Sequence, residues 1–225
     1  MLDRFVGPGS RRSVLEIGGA SGGYLVHLWR RFGHQITVLD NSPVGVELSR
    51  RNFELLGVPG KVVQRDLFST EPPVPQFDVA ISLGLIEHFG DTTSVVRAHL
   101  SYIKPGGRLI IGCPNFLGVN GAVLRQLSPS MLEWHNLDVM DIRRWDQFED
   151  LLGLEVRFRS YIAGFQPGAF WRCEKPSLGH RAVARGLGEL GKRWNGPLAR
   201  RLVRVNSRHW SYYAIAVYDK PLGDS

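Results

Sequence analysis

A run of glycines near the amino terminus is the first feature of this chain that could bind a ligand. Residues 18–23 read Gly-Gly-Ala-Ser-Gly-Gly, shortly after Glu16 and just before a helical pattern that begins at Tyr24. Glycines let a ligand approach the backbone, and the first N–H groups of a following helix are free to bind it. Such a run occurs in many nucleotide-binding loops, so by itself it indicates only a generic site of that kind.

Two carboxylates, Asp40 and Asp66, follow the glycine run, each at or near the end of a short segment rich in β-forming residues. Each also has a simpler explanation. Asp40 could cap the helix that follows it, as could Asn41 or Ser42. Asp66 could be a solvated turn residue. Their order after the glycine run is what favours one shared ligand site.

These residues need a scaffold that brings the ends of several strands together. Short apolar strands alternate with amphipathic helices in the first half of the chain, which predicts a parallel sheet with right-handed crossovers. The predicted strands are Ser13–Ile17, Gln35–Leu39, Lys61–Gln64, Phe77–Leu83 and Arg108–Gly112, and the predicted helices are Tyr24–Arg31, Pro43–Leu56 and Thr92–Ile103.

The second half of the chain departs from this alternation. One further helix, Asp141–Leu152, and two strands, Leu154–Ile162 and Trp210–Tyr218, are predicted. Two stretches, 116–140 and 164–209, are too long for ordinary loops, and such insertions commonly carry binding functions.

In this order the motifs resemble those of the class I S-adenosylmethionine-dependent methyltransferase family, small-molecule type, over roughly residues 14–115. Residues 14–22, Val-Leu-Glu-Ile-Gly-Gly-Ala-Ser-Gly, are similar to the first motif, usually E-x-G-x-G-x-G, with Ala20 in place of the middle glycine. Residues 77–89 resemble the fourth motif, and residues 103–109, Ile-Lys-Pro-Gly-Gly-Arg-Leu, resemble the segment that leads into the fifth strand.

The resemblance implies S-adenosyl-L-methionine as the cofactor. By this resemblance Glu16 supports the loop that lines the methionine part, Asp40 holds the ribose hydroxyls, and Asp66 reads the adenine. The end of the fourth strand faces the reactive methyl group. The implied cofactor-binding residues are Glu16, Gly18, Gly19, Ala20, Gly22, Asp40, Asn41, Asp66, Leu67, Ser82 and Leu83.

The implied fold is α/β and Rossmann-like, with a seven-stranded, mostly parallel sheet whose last strand is antiparallel. Residues 1–225 are expected to form a single domain, in which residues 14–115 are the cofactor-binding half. The stretches 116–140 and 164–209 are expected to be helical lid insertions on the substrate side of the sheet, at the carboxyl ends of the parallel strands.

Two histidines are candidates for the catalytic base. The sulfonium methyl group is already activated, so the enzyme chiefly aligns the acceptor with it and, for a hydroxyl acceptor, removes a proton. His88 follows the fourth strand, and His135 lies beside Trp134 in the first insertion. His88 could instead be a structural histidine at a helix start, and His135 could be part of the core.

The fourth motif also limits the substrate class. Residues 82–85 read Ser-Leu-Gly-Leu, whereas members that methylate nucleobases or glutamine amides typically show Asn- or Asp-Pro-Pro-aromatic there. Metal-dependent catechol methyltransferases need an acid at this strand end, and Leu83-Gly84 supplies none, so no metal is expected. The leading prediction is methyl transfer to a small molecule, with oxygen, nitrogen and carbon all open as acceptor atoms. The alternatives are an RNA methyltransferase and a catalytically inactive cofactor-binding domain.

The excess positive charge is confined to one stretch. Residues 181–208 carry eight Lys or Arg residues and one acid, whereas the rest of the chain carries 20 of each. Two amphipathic helices, broken at Gly196-Pro197, are predicted there. Their basic faces could be solvated, could bind an anionic substrate, or could lie on anionic lipid as a peripheral membrane contact. The arginines concerned are chiefly Arg200, Arg201, Arg204 and Arg208.

The RNA alternative would also use this basic stretch. Nucleic acid is an unfavoured partner, however, because no aromatic-interleaved basic platform accompanies the charges.

The cysteines and apolar runs indicate the compartment. Cys113 and Cys173 have neither disulfide-framework nor metal-binding spacing. Nothing near Met1 resembles a signal peptide, and no uninterrupted apolar run approaches the ~20 residues of a membrane span. A soluble cytoplasmic protein is therefore expected, with membrane association through residues 181–208 left open.

Overall fold

The computed structural model describes residues 1–7, 9–69, 76–164, 166, 174, 177–193 and 205–222. Within these ranges the strands are β1 (Ser13–Ile17), β2 (Gln35–Asp40), β3 (Lys61–Gln64), β4 (Phe77–Leu83), β5 (Ile103–Pro114), β6 (Glu155–Ile162) and β7 (Tyr213–Asp219). The helices are α1 (Leu2–Phe5), α2 (Gly23–Phe32), α3 (Pro43–Leu56), α4 (Thr92–Ser101), α5 (Gly118–Leu127), α6 (Ser130–Glu133), α7 (Asp146–Leu152) and α8 (Leu178–Arg193). Short 3₁₀ turns span Ile86–His88, Asp138–Met140 and Ile142–Trp145.

The strands form one sheet in the order β3-β2-β1-β4-β5-β7-β6. Neighbouring strands from β3 to β5 are parallel, whereas β7 is antiparallel to both β5 and β6. This arrangement confirms the predicted seven-stranded sheet with an antiparallel last strand. The chain order reverses between β1 and β4, and ligands of such sheets bind outside the carboxyl ends of the strands at that point.

Both faces of the sheet are buried. Along β1, Val14 belongs to one apolar cluster and Leu15 to the other, and neighbouring strands repeat this alternation. One cluster includes Leu25 of α2 and Phe53 of α3, and the other includes Val95 of α4. Strands buried on both faces are rich in apolar residues throughout, which explains why the sequence marks their positions so clearly.

Strand β5 is longer than predicted. The sequence predicts a helix that includes Ile103 and a strand that begins at Arg108, but α4 ends before Ile103 and β5 begins with it. Ile103 pairs with Phe77 and Arg108 pairs with Val79, so residues 104–107 bulge out of the ladder. Their Pro-Gly-Gly sequence therefore marks a bulge within a strand, where glycine is common, and does not mark a loop before the strand.

Two other elements begin at residues different from those predicted. The helix predicted over 141–152 is divided, because the Asp141 side chain accepts the Arg143 N–H and caps a separate 3₁₀ turn before α7. The last strand begins at Tyr213, later than predicted. Ser211 just before it is buried and takes part in a turn, since its N–H donates to the Ser207 carbonyl (2.9 Å).

The first insertion is helical, with α5 and α6, and the described part of the second contains α8. Two buried asparagines join the roots of the insertions. Asn115 Nδ2 donates to the carbonyls of Arg208 (3.0 Å) and Ser211 (2.8 Å), and Asn120 Nδ2 donates to the Ser211 carbonyl (3.0 Å). These residues lie where the first insertion leaves β5 and where the second returns to β7. The bases of the two insertions are therefore hydrogen-bonded to each other.

Candidate active site

The glycine run forms a tight loop between β1 and α2. Positive φ angles occur at Gly18 (+68°), Ser21 (+84°) and Gly22 (+63°). Glycine adopts such angles without strain, whereas serine needs support from its surroundings. Ala20 has no positive φ, so the loop accommodates its methyl group where the family usually has glycine.

Helix α3 supplies the support for Ser21. The Ser21 N–H donates to Ser49 Oγ (3.1 Å), and the Ser21 carbonyl accepts a hydrogen bond from Asn52 Nδ2 (2.6 Å). These two bonds fix the loop against the helix that follows β2. Sequence reasoning missed Ser49 and Asn52, because a polar residue on a helix face carries no local signal of the loop it will contact.

Glu16 lies directly beneath the loop. A Cβ added to Gly19 would come within 2.2 Å of the Glu16 Cγ, so a larger residue there would displace the Glu16 side chain. Glu16 is buried, and its Oε2 has no hydrogen-bond partner among the described residues. Burial raises the pKa of Glu16 to about 8, although a hydrogen bond from the Leu25 N–H opposes the shift. A positively charged ligand beside Glu16 would favour its ionised form and offset the cost of burying that charge.

Asp40 ends β2 and is buried. Its Oδ1 accepts a hydrogen bond from the Ser42 N–H (2.8 Å), and Ser42 Oγ accepts one from the Gly45 N–H (3.3 Å). Ser42 is therefore the N-cap of α3, and the capping explanation of Asp40 is wrong. The helix therefore does not use the Asp40 carboxylate as its cap. The role of Asp40 in cofactor binding remains a prediction.

The other predicted nucleoside contacts lie at the same edge of the sheet. Asn41 and Asp66 are exposed, next to the paired ends of β2 and β3. Asp66 Oδ1 accepts a hydrogen bond from the Phe68 N–H (2.9 Å), which is a local turn contact. Leu67 is partly buried against the apolar core. The structure brings these residues together with Asp40, and their contact with adenine remains a prediction.

The resemblance implies that Asp40 holds the ribose of the cofactor, so the Asp40→Asn variant is expected to weaken the binding of S-adenosylhomocysteine by about 1–3 kcal/mol through loss of charge-assisted hydrogen bonds. The amide oxygen of the new residue can still accept the Ser42 N–H, so the fold is expected to be retained. Titration calorimetry measures the effect, and Asp150→Asn, on the exposed face of α7, is the matched control. Equal affinity in both variants would show that Asp40 does not hold the ribose.

The end of β4 closes the other side of the loop. Ser82 is buried, and its Oγ finds no hydrogen-bond partner in the described parts of the chain, while Leu83 is half-buried. The chain then turns at Gly84, where φ is +87°. A Cβ placed on Gly18 would lie 3.2 Å from the Leu85 side chain, so the glycine loop and the turn after β4 pack against each other.

The two candidate bases are neighbours in the structure. The ring centroids of His88 and His135 lie 4.7 Å apart, and Phe116 packs edge-on against His135 at 5.2 Å. His88 is about half exposed, whereas His135 is partly buried. This burial lowers the pKa of His135. His135 is itself only partly buried, and Trp134 beside it is 75% exposed, so the structure does not place His135 in the core.

Glu87, to which the sequence analysis gave no role, lies beside the histidines. It is only 2% exposed, and its Oε2 has no hydrogen-bond partner among the described residues. Its Oε1 lies 4.0 Å from His88 Nε2. Burial raises the pKa of Glu87 to about 7. An acid at the start of a helical turn is common in any protein, so the sequence did not distinguish this one.

The basic stretch is described only in part. Arg200, Arg201 and Arg204 lie outside the described residues, as does Cys173, whereas Arg208 forms an ion pair with Asp141 (3.2 Å). The pair ties Arg208 to the body of the domain and removes it from a free basic face.

Helix α8 buries a narrow apolar stripe. Ala184 is buried and Leu187 packs against the core, but Val183 and Leu190, at helical spacing from Leu187, are 56% and 43% exposed. Among the described residues, no helix has both the length and the apolar character needed to cross a membrane. Contact of this segment with anionic lipid or an anionic substrate remains a prediction.

Comparison with known families decides the class of the protein. A methyltransferase domain family matches residues 2–166, which is most of the chain. The chain belongs to the class I S-adenosylmethionine-dependent methyltransferases. The matched residues include the glycine loop, Asp40 and Asp66, and the two histidines His88 and His135.

Relatives of this methyltransferase include the ubiquinone biosynthesis O-methyltransferase of Xanthomonas euvesicatoria pv. vesicatoria, which is 34% identical over 107 residues, or 45% of this chain and 43% of the relative. The chain thus spans less than half the length of this curated relative.

Solved structures share the fold. The [4+2]-cyclase SpnF has a TM-score of 0.59 at 19% identity, covering 99% of this chain and 78% of that one. A geranyl diphosphate methyltransferase in complex with GPP and sinefungin has a TM-score of 0.58 at 15% identity. The match covers 94% of this chain and 72% of that one.

The residues present in this methyltransferase fit the cofactor of the class. The loop that follows the carboxyl end of β1 is partly exposed at Gly18 and Gly19 and exposed at Ala20 and Ser21, which leaves room for a ligand to approach its backbone. Two buried oxygens, Glu16 Oε2 and Ser82 Oγ, lack hydrogen-bond partners among the described residues. They belong to β1 and β4, the adjacent strands between which the chain order reverses.

Proposed function

We propose that this methyltransferase transfers the methyl group of S-adenosyl-L-methionine to an oxygen atom of a small-molecule acceptor. The observation that carries the proposal is the contact between His88 and His135 beside the turn that packs on the glycine loop. A hydroxyl acceptor needs such groups, because it must lose a proton as the methyl group arrives. Relatives named ubiquinone biosynthesis O-methyltransferase support oxygen as the acceptor atom and a small molecule as the substrate.

The cofactor, when bound, supplies a methyl group that its sulfonium already activates. The residues of this chain then have two tasks. Glu16, the glycine loop and Asp40 hold the cofactor at the carboxyl ends of β1 and β2. The turn after β4 and the first insertion hold the acceptor in line with it, and such alignment provides much of the rate in reactions of this type.

A catalytically inactive cofactor-binding domain is the second candidate. The same fold occurs in a [4+2]-cyclase, a protein named for a different reaction, so the fold by itself does not establish methyl transfer. The RNA alternative depends on residues 181–208, and no described contact favours it. A cytoplasmic location and an anionic acceptor remain predictions.

The proposal is tested by incubating the protein with methyl-labelled S-adenosyl-L-methionine and a panel of phenols, catechols, amines and RNA. Label is expected in hydroxylated small molecules and in neither amines nor RNA. Transfer to amines or RNA alone would contradict the proposal. Tight binding of S-adenosylhomocysteine with no transfer to any acceptor would instead favour the inactive domain.

A further inference from the structure

Glu87, His88 and His135 form a group that we call the carboxylate–histidine cluster. One ligand atom from each residue lies within 4.8 Å of the others. Glu87 and His88 belong to the 3₁₀ turn after β4, whereas His135 belongs to the insertion after β5. Asn136 holds the two segments together, since its N–H donates to the Glu87 carbonyl (2.6 Å) and its Nδ2 donates to the Phe89 carbonyl (2.9 Å).

We propose that the carboxylate–histidine cluster binds one divalent transition-metal ion of the Zn²⁺ or Co²⁺ type. Two imidazoles and one carboxylate are a ligand set that such ions accept while keeping further coordination positions open. Ligand atoms about 2.1 Å from a tetrahedral ion lie about 3.4 Å from one another. The ligand atoms of the cluster lie within 4.8 Å of one another, so ion binding requires the side chains to move closer together, and the half-exposed His88 ring has room on its solvent side.

The hydrogen bonding of His135 prepares it as a ligand. Its Nδ1 lies 2.6 Å from the Met131 carbonyl, and a carbonyl oxygen can only accept, so Nδ1 carries the proton. The lone pair of the ring is then on Nε2. Metal-binding histidines commonly donate their second ring nitrogen to a backbone carbonyl in this way, which fixes both the tautomer and the ring orientation.

The environment of Glu87 points independently to a cation. Its side chain is almost fully buried, and Oε2 has no hydrogen-bond partner among the described residues. Burial of an unpaired carboxylate is costly, and a bound cation offsets that cost. The other two members of the cluster are histidines, and a neutral imidazole supplies no positive charge to balance the carboxylate, whereas a bound metal ion would supply it.

This proposal departs from the expectation, drawn from Leu83-Gly84 at the strand end, that the chain binds no metal. The acid lies further on, at Glu87, in the turn after that strand. An open coordination position of the ion would bind the acceptor oxygen and favour its deprotonated form, as bound metals do for water. That role rests on the proposed function, whereas ion binding itself does not.

The test uses full-length protein stripped with chelator and titrated with Co²⁺, followed by visible absorption and by thermal melting. One Co²⁺ per chain is expected to bind, and to raise the melting temperature because it links two segments. The variants His88→Ala, His135→Ala and Glu87→Gln are each expected to lower the affinity by about 10-fold or more. His27→Ala, at an exposed histidine of α2 that pairs with Asp3, is the control and is expected to bind as the wild type does.

His88→Ala alters an exposed side chain, so it remains informative if Glu87→Gln fails to fold. Absence of Co²⁺ binding to the wild type, or unchanged affinity in both histidine variants, would overturn the cation site. A protein that binds Co²⁺ at the cluster and methylates no hydroxylated acceptor would retain the cation site and lose the proposed function.

Discussion

Replacing His135 with alanine is expected to lower the turnover number of methyl transfer by about 10²–10⁴, because the proposed O-methylation assigns removal of the hydroxyl proton to the histidine pair. The affinity for S-adenosylhomocysteine is expected to stay nearly unchanged. The described contacts of the His135 ring are with His88, Phe116 and the Met131 carbonyl, and none of these belongs to the glycine loop. Steady-state kinetics and calorimetry measure the two quantities separately.

His88→Ala is the companion variant and His27→Ala the control. If one histidine alone accepts the proton, only its variant loses turnover. If both hold a cation, both variants lose turnover together with Co²⁺ binding. Full activity in both would exclude the pair from the reaction and make an amine or carbon acceptor, activated elsewhere, the better hypothesis.

Glu16→Gln is expected to flatten the dependence of folding stability on pH. The pKa of Glu16 is raised from 4.5 to about 8 by burial, so the folded protein keeps a proton that the unfolded chain has released. The stability contributed by that proton is fully present below the unfolded pKa and is lost as pH rises through the folded pKa. The free energy of unfolding of the wild type therefore falls across this window, by up to about 5 kcal/mol from this residue.

Urea denaturation at a series of pH values from about 5 to about 8 measures this difference. Glu87, whose pKa is also raised, is present in both proteins, so the difference between the two curves isolates Glu16. Glu47→Gln, at an exposed position of α3, is expected to reproduce the wild-type curve. Parallel curves for wild type and Glu16→Gln would show that Glu16 does not remain protonated in the folded protein.

Much of the fold was predictable because its core strands are short and apolar. The bounds of β1, β3, β4 and α3 match the sequence pattern. The bulge in β5 was not predictable in this way, because Pro-Gly-Gly is typical of loops and only the pairing of Ile103 with Phe77 shows that the strand starts before it. The local sequence pattern therefore located the strands and helices. The pairing register of β5, and with it the true start of the strand, could be determined only from its contacts with β4.

The candidate site shows the same division. The sequence indicated Glu16 and Asp40, since each stands next to a recognisable strand end. It gave no reason to place His88 beside His135, because the contact depends on how the first insertion folds back against the turn after β4. Glu87 was overlooked for a related reason, since its importance comes from burial, which arises from packing around the turn.

Exchange of the two insertions between family members is constrained by the buried asparagines of this chain. Asn115 and Asn120 hold backbone carbonyls of Arg208 and Ser211, at the far end of the second insertion. A graft that removed Asn120 with the first insertion would leave the Ser211 carbonyl with one donor fewer, and a graft that displaced the Arg208 carbonyl would leave the Asn115 amide without that acceptor, at a cost of about 1–3 kcal/mol for each lost partner. An engineered exchange of both insertions together is therefore expected to be better tolerated than an exchange of one alone.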